Sequence, residues 1–235
     1  HGLVVGAAGV INVGSLTVTT PSAAQMSQLA AVIDNGSASE GEALAAVAMT
    51  EPSGGSDLQN IRTRAIRDGD DYVLNGQKVF ITNAQGADLI VVAAKTDPAA
   101  RGKGISLILV ENGMAGFDHG KTLHKMGFHG HDTAELSFTD VFVPDENLIG
   151  TEPGHGFIQL MKNLPLERLS IGVCAAAAGE AAFKWTLEYT SNREAFGQAV
   201  ADFQNTRFRL ADMATTVDVL WAYNDRAMEL YRQGK

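Results

Sequence analysis

The 235 residues are 45% hydrophobic and 19% charged, which suits one or two globular domains and excludes a chain too polar to bury a core. The net charge of −9 argues against a general nucleic-acid binder but leaves a polyanionic ligand open, since a local basic pocket is enough. The single cysteine, Cys174, excludes an internal disulfide and points to a reducing compartment; its alanine-rich surroundings read as a small core residue rather than a nucleophile.

The opening thirteen residues are apolar, short and Gly-rich, with no basic segment and no initiator Met. They read as neither a signal peptide nor a membrane span. Both ends read as cut points in a longer chain. Residues 1–42 are rich in Ala, Gly, Ser and Val. Pro21 opens a helix expected through about Ile33, with Met26, Leu29, Val32 and Ile33 at helical spacing, and Asn35-Gly36-Ser37 closes it.

The pattern turns to β over 43–150. The apolar run 43–48 reads as a short buried strand that delivers Met49-Thr50-Glu51-Pro52-Ser53-Gly54-Gly55-Ser56-Asp57. Pro52 fixes a turn, Gly54 and Gly55 let backbone N–H groups approach a ligand, and Thr50 and Ser56 add hydroxyls. Such a loop suits a polar-edged ligand or an anion; from local chemistry alone a plain Pro/Gly turn is the preferred reading. Asp68-Gly69-Asp70-Asp71 marks a turn. Asn75-Gly76 between 72–74 and 77–81 reads as a type I′ hairpin. Thr82-Asn83 closes that second run, and Phe80, Ile81 and Thr82 are able to line a planar ring or to be an ordinary strand end. Further strands are expected over 88–94, 105–110, 134–138 and 141–143, with a polar loop over 97–104. Short connections favour antiparallel pairing, and hence a β-barrel or sandwich.

His124, His129 and His131 cluster without an acidic or Cys partner at metal-ligand spacing, so they read as a solvated loop and no metal is expected.

From Gly154 the pattern is helical. Ile158, Met161, Leu164, Ile171, Cys174 and Ala178 form one stripe, interrupted by Pro165, where a kink or new helix start is expected. Phe203, Leu210, Met213, Val217 and Leu220 form a bundle seam on the last helix. Two helices cannot bury such stripes alone and need partners from further chain or another subunit. Glu167 and Arg168 break the first stripe. A carboxylate buried in apolar surroundings titrates higher than usual, as a general base near neutral pH needs; a solvent-facing Glu–Arg pair is the alternative. Arg193, followed by Phe196 and Gln204, sits at a helix–helix corner. It suits a pyrophosphate or simply caps a helix end.

Seven of these pieces, in order, resemble the acyl-CoA dehydrogenase family: 49–57, Leu74-Asn75-Gly76-Gln77-Lys78-Val79-Phe80-Ile81-Thr82-Asn83, Asp132-Thr133-Ala134-Glu135-Leu136, Val143-Pro144-Asp145-Glu146-Asn147-Leu148-Ile149-Gly150, Glu167-Arg168-Leu169, Arg193-Glu194-Ala195-Phe196-Gly197 and Phe203-Gln204-Asn205-Thr206-Arg207-Phe208. The resemblance covers about 43–235; residues 1–42 do not share it. It implies an α+β protein with a middle antiparallel β-barrel or sandwich domain (43–150), then the first two long helices of a four-helix bundle (151–235). The N-terminal helical domain is mostly absent, with 1–42 as its remnant. It also implies FAD between β-domain and bundle. Val47, Met49, Thr50, Gly55 and Ser56 then contact the flavin or its phosphates, and Phe80, Ile81 and Thr82 the other side of the ring. Arg193, Phe196 and Gln204 reach the FAD of a neighbouring subunit in a homotetramer. Ser56 and Arg168 lie near the acyl-CoA, and Glu167 holds the base position of the long-chain and isovaleryl-type branches.

The activity so implied is α,β-dehydrogenation of an acyl-CoA thioester to the trans-2-enoyl-CoA, with electrons passed to an electron-transferring flavoprotein, in the bacterial cytoplasm or the mitochondrial matrix. An acyl-CoA oxidase and a non-catalytic acyl-CoA-binding or partner-binding chain are the alternatives.

Overall fold

A computed structural model describes residues 45–235, so the helix expected over 21–33 and the remnant domain 1–42 lie outside the described residues. The chain divides into two compact units, the first described over 45–163 and the second spanning Leu164–Lys235.

The first unit is a curled mixed sheet of seven strands. They are β1 (Ala45–Ala48), β2 (Arg64–Asp68), β3 (Asp71–Thr82), β4 (Leu89–Lys95), β5 (Ile105–Glu111), β6 (Phe117–Thr122) and β7 (Thr133–Pro144). β4 carries β5 antiparallel along its whole length. Its other edge takes β1 in parallel and, at Arg64↔Lys95, the start of β2. β2, β3, β7 and β6 continue the sheet antiparallel. The purely antiparallel expectation is therefore corrected: β1 returns to β4 through the intervening hairpin, and such a crossover yields a parallel pair.

β4 and β5 read as unbroken apolar runs because both faces are covered. Ile90, Val92, Ile108 and Val110 enter one core with Leu74, Leu136 and Val141. Leu89, Val91, Leu107 and Leu109 enter a second, with Leu160 and the partly buried Phe157 and Met161 against them. These last three lie on the opening turns of helix α1 (Gly156–Asn192). The helix start is seated tightly. Ser106 Oγ accepts from the Gly154 N–H at 2.8 Å and meets Thr96 Oγ1 at 2.7 Å. A Cβ on Gly156 would come within 2.7 Å of the Ser106 carbonyl carbon.

Asn75-Gly76 is not a turn. β3 runs through it, and the hairpin closes instead at Gly69-Asp70, joining β2 to β3. Gly76 is needed for close approach: at φ +153°, a Cβ there would lie 2.4 Å from Thr63 Oγ1. The runs 134–138 and 141–143 are one strand with a bulge at their junction. β2 and β6 had no strand expected over them; β6 is a polar edge strand with none of the apolar alternation that marks a half-buried one.

In the second unit, α1 continues and α2 (Gln204–Arg232) runs back along it. Trp221 Nε1 donates to Glu180 Oε2 at 2.8 Å, and the buried Asn224 donates to the Gly172 carbonyl at 3.2 Å. Of the expected kink or new start at Pro165, the new start is absent: α1 runs on through it, without the bond to the Met161 carbonyl that the ring cannot make. Of the α2 seam, Leu210 and Val217 are buried while Met213 and Leu220 are exposed, as are Ile171, Trp185, Phe208 and Tyr223. Cys174 is exposed as well, which corrects the core reading: that side of α1 meets no partner among the described residues. Among the described residues no helix is long and apolar enough to cross a membrane.

Candidate functional site

The loop after β1 is closed by its own backbone. The Glu51 N–H donates to the Gly54 carbonyl and the Gly54 N–H to the Glu51 carbonyl, both at 3.0 Å, with Pro52 and Ser53 at the corner. It is also tied to the far half of β3. The Val79 N–H donates to the Thr50 carbonyl at 2.9 Å. Lys78 Nζ donates to the Met49 carbonyl and to Glu51 Oε1, each at 2.9 Å. Glu51 Oε1 also accepts from the Thr63 N–H at 2.9 Å, and Oε2 from the Arg62 N–H at 2.6 Å.

Both charges of this pair are buried, with side-chain exposures of 0% for Lys78 and 3% for Glu51. Burial pushes the Lys78 ammonium down to about 8, against the pull of the Glu51 charge and hydrogen bond. Burial alone would raise the Glu51 carboxyl. The Lys78 charge, helped by bonds from Thr63, Arg62 and Lys78, outweighs it and holds the group below the ordinary carboxylate value.

Next to the tie, β3 carries an extra residue. Lys78 pairs with Leu136 but Ile81 with Ala134, and Phe80 takes φ +59°. That conformation is costly for a bulky residue. It swings Phe80 to the surface, 65% exposed, while Val79 and Ile81 stay buried and Thr82 is half-buried. Thus Met49, Thr50, Phe80, Ile81 and Thr82, which the sequence placed at two sides of one ligand, belong to two segments joined by direct bonds. Val47 is half-buried on β1, and Gly55 and Ser56 are exposed. A Cβ at Gly54 would meet nothing within 4 Å, and at Gly55 only the Thr50 methyl at 3.7 Å, so a ligand has open access to this backbone. Hydroxyls, accessible N–H groups and an exposed aromatic face are a donor set that fits a flavin.

The remaining expected residues lie in the second unit. Glu167 is half-buried on α1; among the described residues its carboxylate has no ion-pair or hydrogen-bond partner, and only its backbone carbonyl accepts, from Ser170 Oγ at 2.9 Å. Arg168 is exposed one position on. Arg193 follows α1 and is exposed. Phe196 and Gly197, at φ +53° and +79°, form the tip of a hairpin between β8 (Glu194–Ala195) and β9 (Gln198–Ala199). Two central residues at positive φ make this a type I′ turn, and Phe196 is 98% exposed on it. Gln204 is the exposed first residue of α2.

Sequence reasoning missed Lys78 and Glu51 as site residues. The signal was present: Tyr72, Leu74, Gly76 and Lys78 share one face of β3 by strict alternation, which puts a lysine where an apolar side chain belongs. For the histidines, Lys125 Nζ lies 2.9 Å from His131 Nδ1. No group of His, Cys, Asp and Glu able to hold a metal occurs among the described residues.

Comparison with known proteins gives matches along most of the described chain. The model of the acyl-CoA dehydrogenase middle domain matches residues 46–141, and that of the acyl-CoA dehydrogenase C-terminal domain matches 154–235. The mitochondrial long-chain specific acyl-CoA dehydrogenase of Rattus norvegicus is 49% identical over 193 residues, covering 81% of this chain and 45% of that protein. Cyclohex-1-ene-1-carbonyl-CoA dehydrogenase of Geobacter metallireducens is 43% identical over 197 residues, covering 84% and 52%. The crystal structure of an acyl-CoA dehydrogenase from Geobacillus kaustophilus aligns with a TM-score of 0.79 at 50% identity, covering 82% of this chain and 51% of that one. The chain thus spans about half the length of the relatives it matches.

Proposed function

We propose, from the premise that this chain belongs to the acyl-CoA dehydrogenase family, that it forms the flavin-binding and proton-abstracting part of an FAD-dependent acyl-CoA dehydrogenase. The observation that carries the reading is the bonding of Met49, Thr50 and Glu51 to Lys78 and Val79, which sets the 49–56 loop beside the part of β3 that leads into Phe80, Ile81 and Thr82. Val47, Met49, Thr50, Gly55 and Ser56 hold the flavin on one side, and Phe80, Ile81 and Thr82 on the other. Arg193, Phe196 and Gln204 serve the FAD of a neighbouring subunit in a tetramer.

FAD, when bound, supplies the acceptor for the hydride from the substrate's β-carbon. The protein's part is to align two C–H bonds and to take a proton. Glu167 is the base that removes the α-proton; the residue is half-buried, and its carboxylate is unspent on any other partner among the described residues. Hydrogen bonds to the thioester carbonyl stabilise the enolate character that develops as the proton leaves. Ser56 and Arg168 face the acyl-CoA, Arg168 as an exposed cation for a CoA phosphate. The acceptor proposed for the electrons is an electron-transferring flavoprotein. The long-chain specific relative is named for an acyl-CoA, and the substrate class proposed for this chain is a saturated acyl-CoA thioester with hydrogens on Cα and Cβ.

The test is the visible absorbance of the FAD-loaded protein, mixed anaerobically with saturated acyl-CoA thioesters of graded length. Bleaching by one of the series supports dehydrogenation, and the length profile defines the substrate. A flavin spectrum that no thioester changes overturns the proposed activity.

A further inference from the structure

We propose that the buried Lys78–Glu51 pair is a positioning lock for the flavin-facing loop, holding the loop's carbonyl oxygens inward and its Thr50 N–H outward toward the ligand. The inference rests on the flavin reading given above.

A buried ion pair is a poor device for stability alone. Taking both charges out of water costs several kcal/mol per ion in general, and apolar residues of similar volume often serve as well or better. Position 78 lies on a face otherwise given to Tyr72 and Leu74, where a Met or Leu would pack without that cost. What an apolar residue cannot supply is the geometry. Lys78 Nζ divides its donors between the Met49 carbonyl and Glu51 Oε1, and Glu51 also accepts from the N–H groups of Arg62 and Thr63 and, at 3.4 Å, from the Ser53 hydroxyl. The loop is thereby fastened to β3 at one point and to the 62–63 segment at another. The Val79 N–H bond to the Thr50 carbonyl adds a third tie.

The consequence follows from the planarity of the peptide. A trans peptide holds its C=O and the next N–H on opposite sides. With the Met49 carbonyl drawn in to Lys78, the Thr50 N–H points the other way, and among the described residues nothing accepts from it. The following N–H, that of Glu51, is spent inside the turn on the Gly54 carbonyl. The lock therefore selects one backbone donor, Thr50 N–H, beside the Thr50 hydroxyl, and removes two acceptors that would otherwise compete for the same face. Such an edge suits an acceptor that becomes more electron-rich on reduction, as a flavin does. The bulge that exposes Phe80 begins one residue beyond Lys78, so ring face and donor edge are set from the same point of β3.

The test compares the wild-type protein with the double variant Glu51→Leu/Lys78→Met, which removes both charges and keeps apolar volume. Thermal unfolding reads stability; titration with FAD, followed by flavin fluorescence and visible absorbance, reads the site. The expected result is a melting temperature near that of the wild type with FAD binding weakened by about tenfold or more and a displaced flavin band, because the Met49 carbonyl is released. A double variant that binds FAD as tightly as the wild type, with the same spectrum, overturns the lock and leaves the flavin reading intact. Wild-type protein that binds no FAD overturns both. If the double variant does not fold, Glu51→Gln replaces it: it keeps the shape but weakens the hold on Lys78, and unchanged affinity and spectrum in that variant overturn the lock equally.

Discussion

Asn75 and Asp140 exchange two hydrogen bonds of 3.0 Å across neighbouring strands: Asn75 Nδ2 donates to Asp140 Oδ1, and the Asp140 N–H donates to Asn75 Oδ1. The pair closes a bulge in β7, where Leu74 faces Val141 but Gly76 faces Phe138 and Asp140 takes φ +48°. Five residues on, the bulge of β3 at Val79 and Phe80 shifts the register back. The stretch between the two shifts is the part of β3 that carries Lys78. Two opposed one-residue shifts thus decide which side chains face the core beside the candidate site.

Gly76 is where this arrangement is most sensitive. Its Cβ position is occupied by Thr63, with the Thr63 Cα at 2.7 Å. Gly76→Ala is expected to destabilise by about 1–3 kcal/mol through overpacking. Asn75→Ala, which loses one exposed bonded pair, is expected to cost about 1 kcal/mol. Urea unfolding of the two variants checks the ranking; a Gly76→Ala protein as stable as the wild type would remove the close-approach account.

The same dipeptide shows what was legible in the sequence. Asn-Gly is a strong local turn signal, and locally it reads as one. Here the Gly serves a contact with Thr63, thirteen positions earlier, which no local pattern reports. The strands over 88–94 and 105–110 were readable because their apolar runs are decided by burial on both faces. The loop and strand-end residues were readable as a motif, yet the pair that fixes them was not, since Glu51 looks like one more polar loop residue until Lys78 is seen beside it. The helix seams were legible as seams. Which of their residues find partners depends on surfaces beyond the two helices.

The buried pair predicts a pH signature. The folded Glu51 carboxyl titrates below its ordinary 4.5, so its contribution is complete above about pH 4.5 and is lost as pH falls through the folded value. The Lys78 ammonium, ordinarily 10.5, is held at about 8, so between those values the unfolded chain keeps a proton that the folded chain has released, and stability from this group rises across that window. The difference in urea midpoint between wild type and Glu51→Leu/Lys78→Met, followed from pH 3 to pH 11 (roughly the span of both windows), is expected to fall in acid and to climb above pH 8. A difference that stays constant over the whole range contradicts the assignment.

Ser106 seats the start of α1. Ser106 is 1% exposed and its hydroxyl is the acceptor for the Gly154 N–H, and Gly154 at φ +88° has no room for a Cβ because the Lys103 carbonyl oxygen would lie at 2.3 Å. Ser106→Ala leaves that N–H without its acceptor and is expected to cost about 1–3 kcal/mol. Hydrogen exchange at Gly154 should quicken in the variant while the amides of Val92 and Ile108 keep their protection; unchanged exchange at Gly154 would contradict the role.

Phe196 holds a left-handed conformation that costs a side chain of its size roughly 1–2 kcal/mol. Its one ring partner among the described residues is Phe203, edge-on at 6.4 Å. Phe196→Asn, which tolerates that conformation, is expected to raise stability by about 1 kcal/mol and to weaken FAD binding in the assembled protein. Thermal unfolding and FAD titration of the same sample read both effects. Raised stability with unaltered FAD affinity would detach Phe196 from the cofactor.

In the dehydrogenation proposed above, Glu167 is the residue on which the chemistry turns. Replacing it by Gln keeps volume and hydrogen-bonding shape while removing the ability to take a proton. FAD binding should therefore be untouched, and reduction of the bound flavin by a saturated acyl-CoA should slow by about 100- to 10,000-fold, the usual worth of a general base. Glu167→Asp keeps the carboxylate but withdraws it by one methylene. Its rate should fall between the two, because proton transfer depends on reach before it depends on basicity. Rapid-mixing absorbance at the flavin band ranks the three proteins. A Glu167→Gln protein that bleaches at the wild-type rate would place the base on another carboxylate and leave Glu167 as a helix residue half-exposed for no chemical reason.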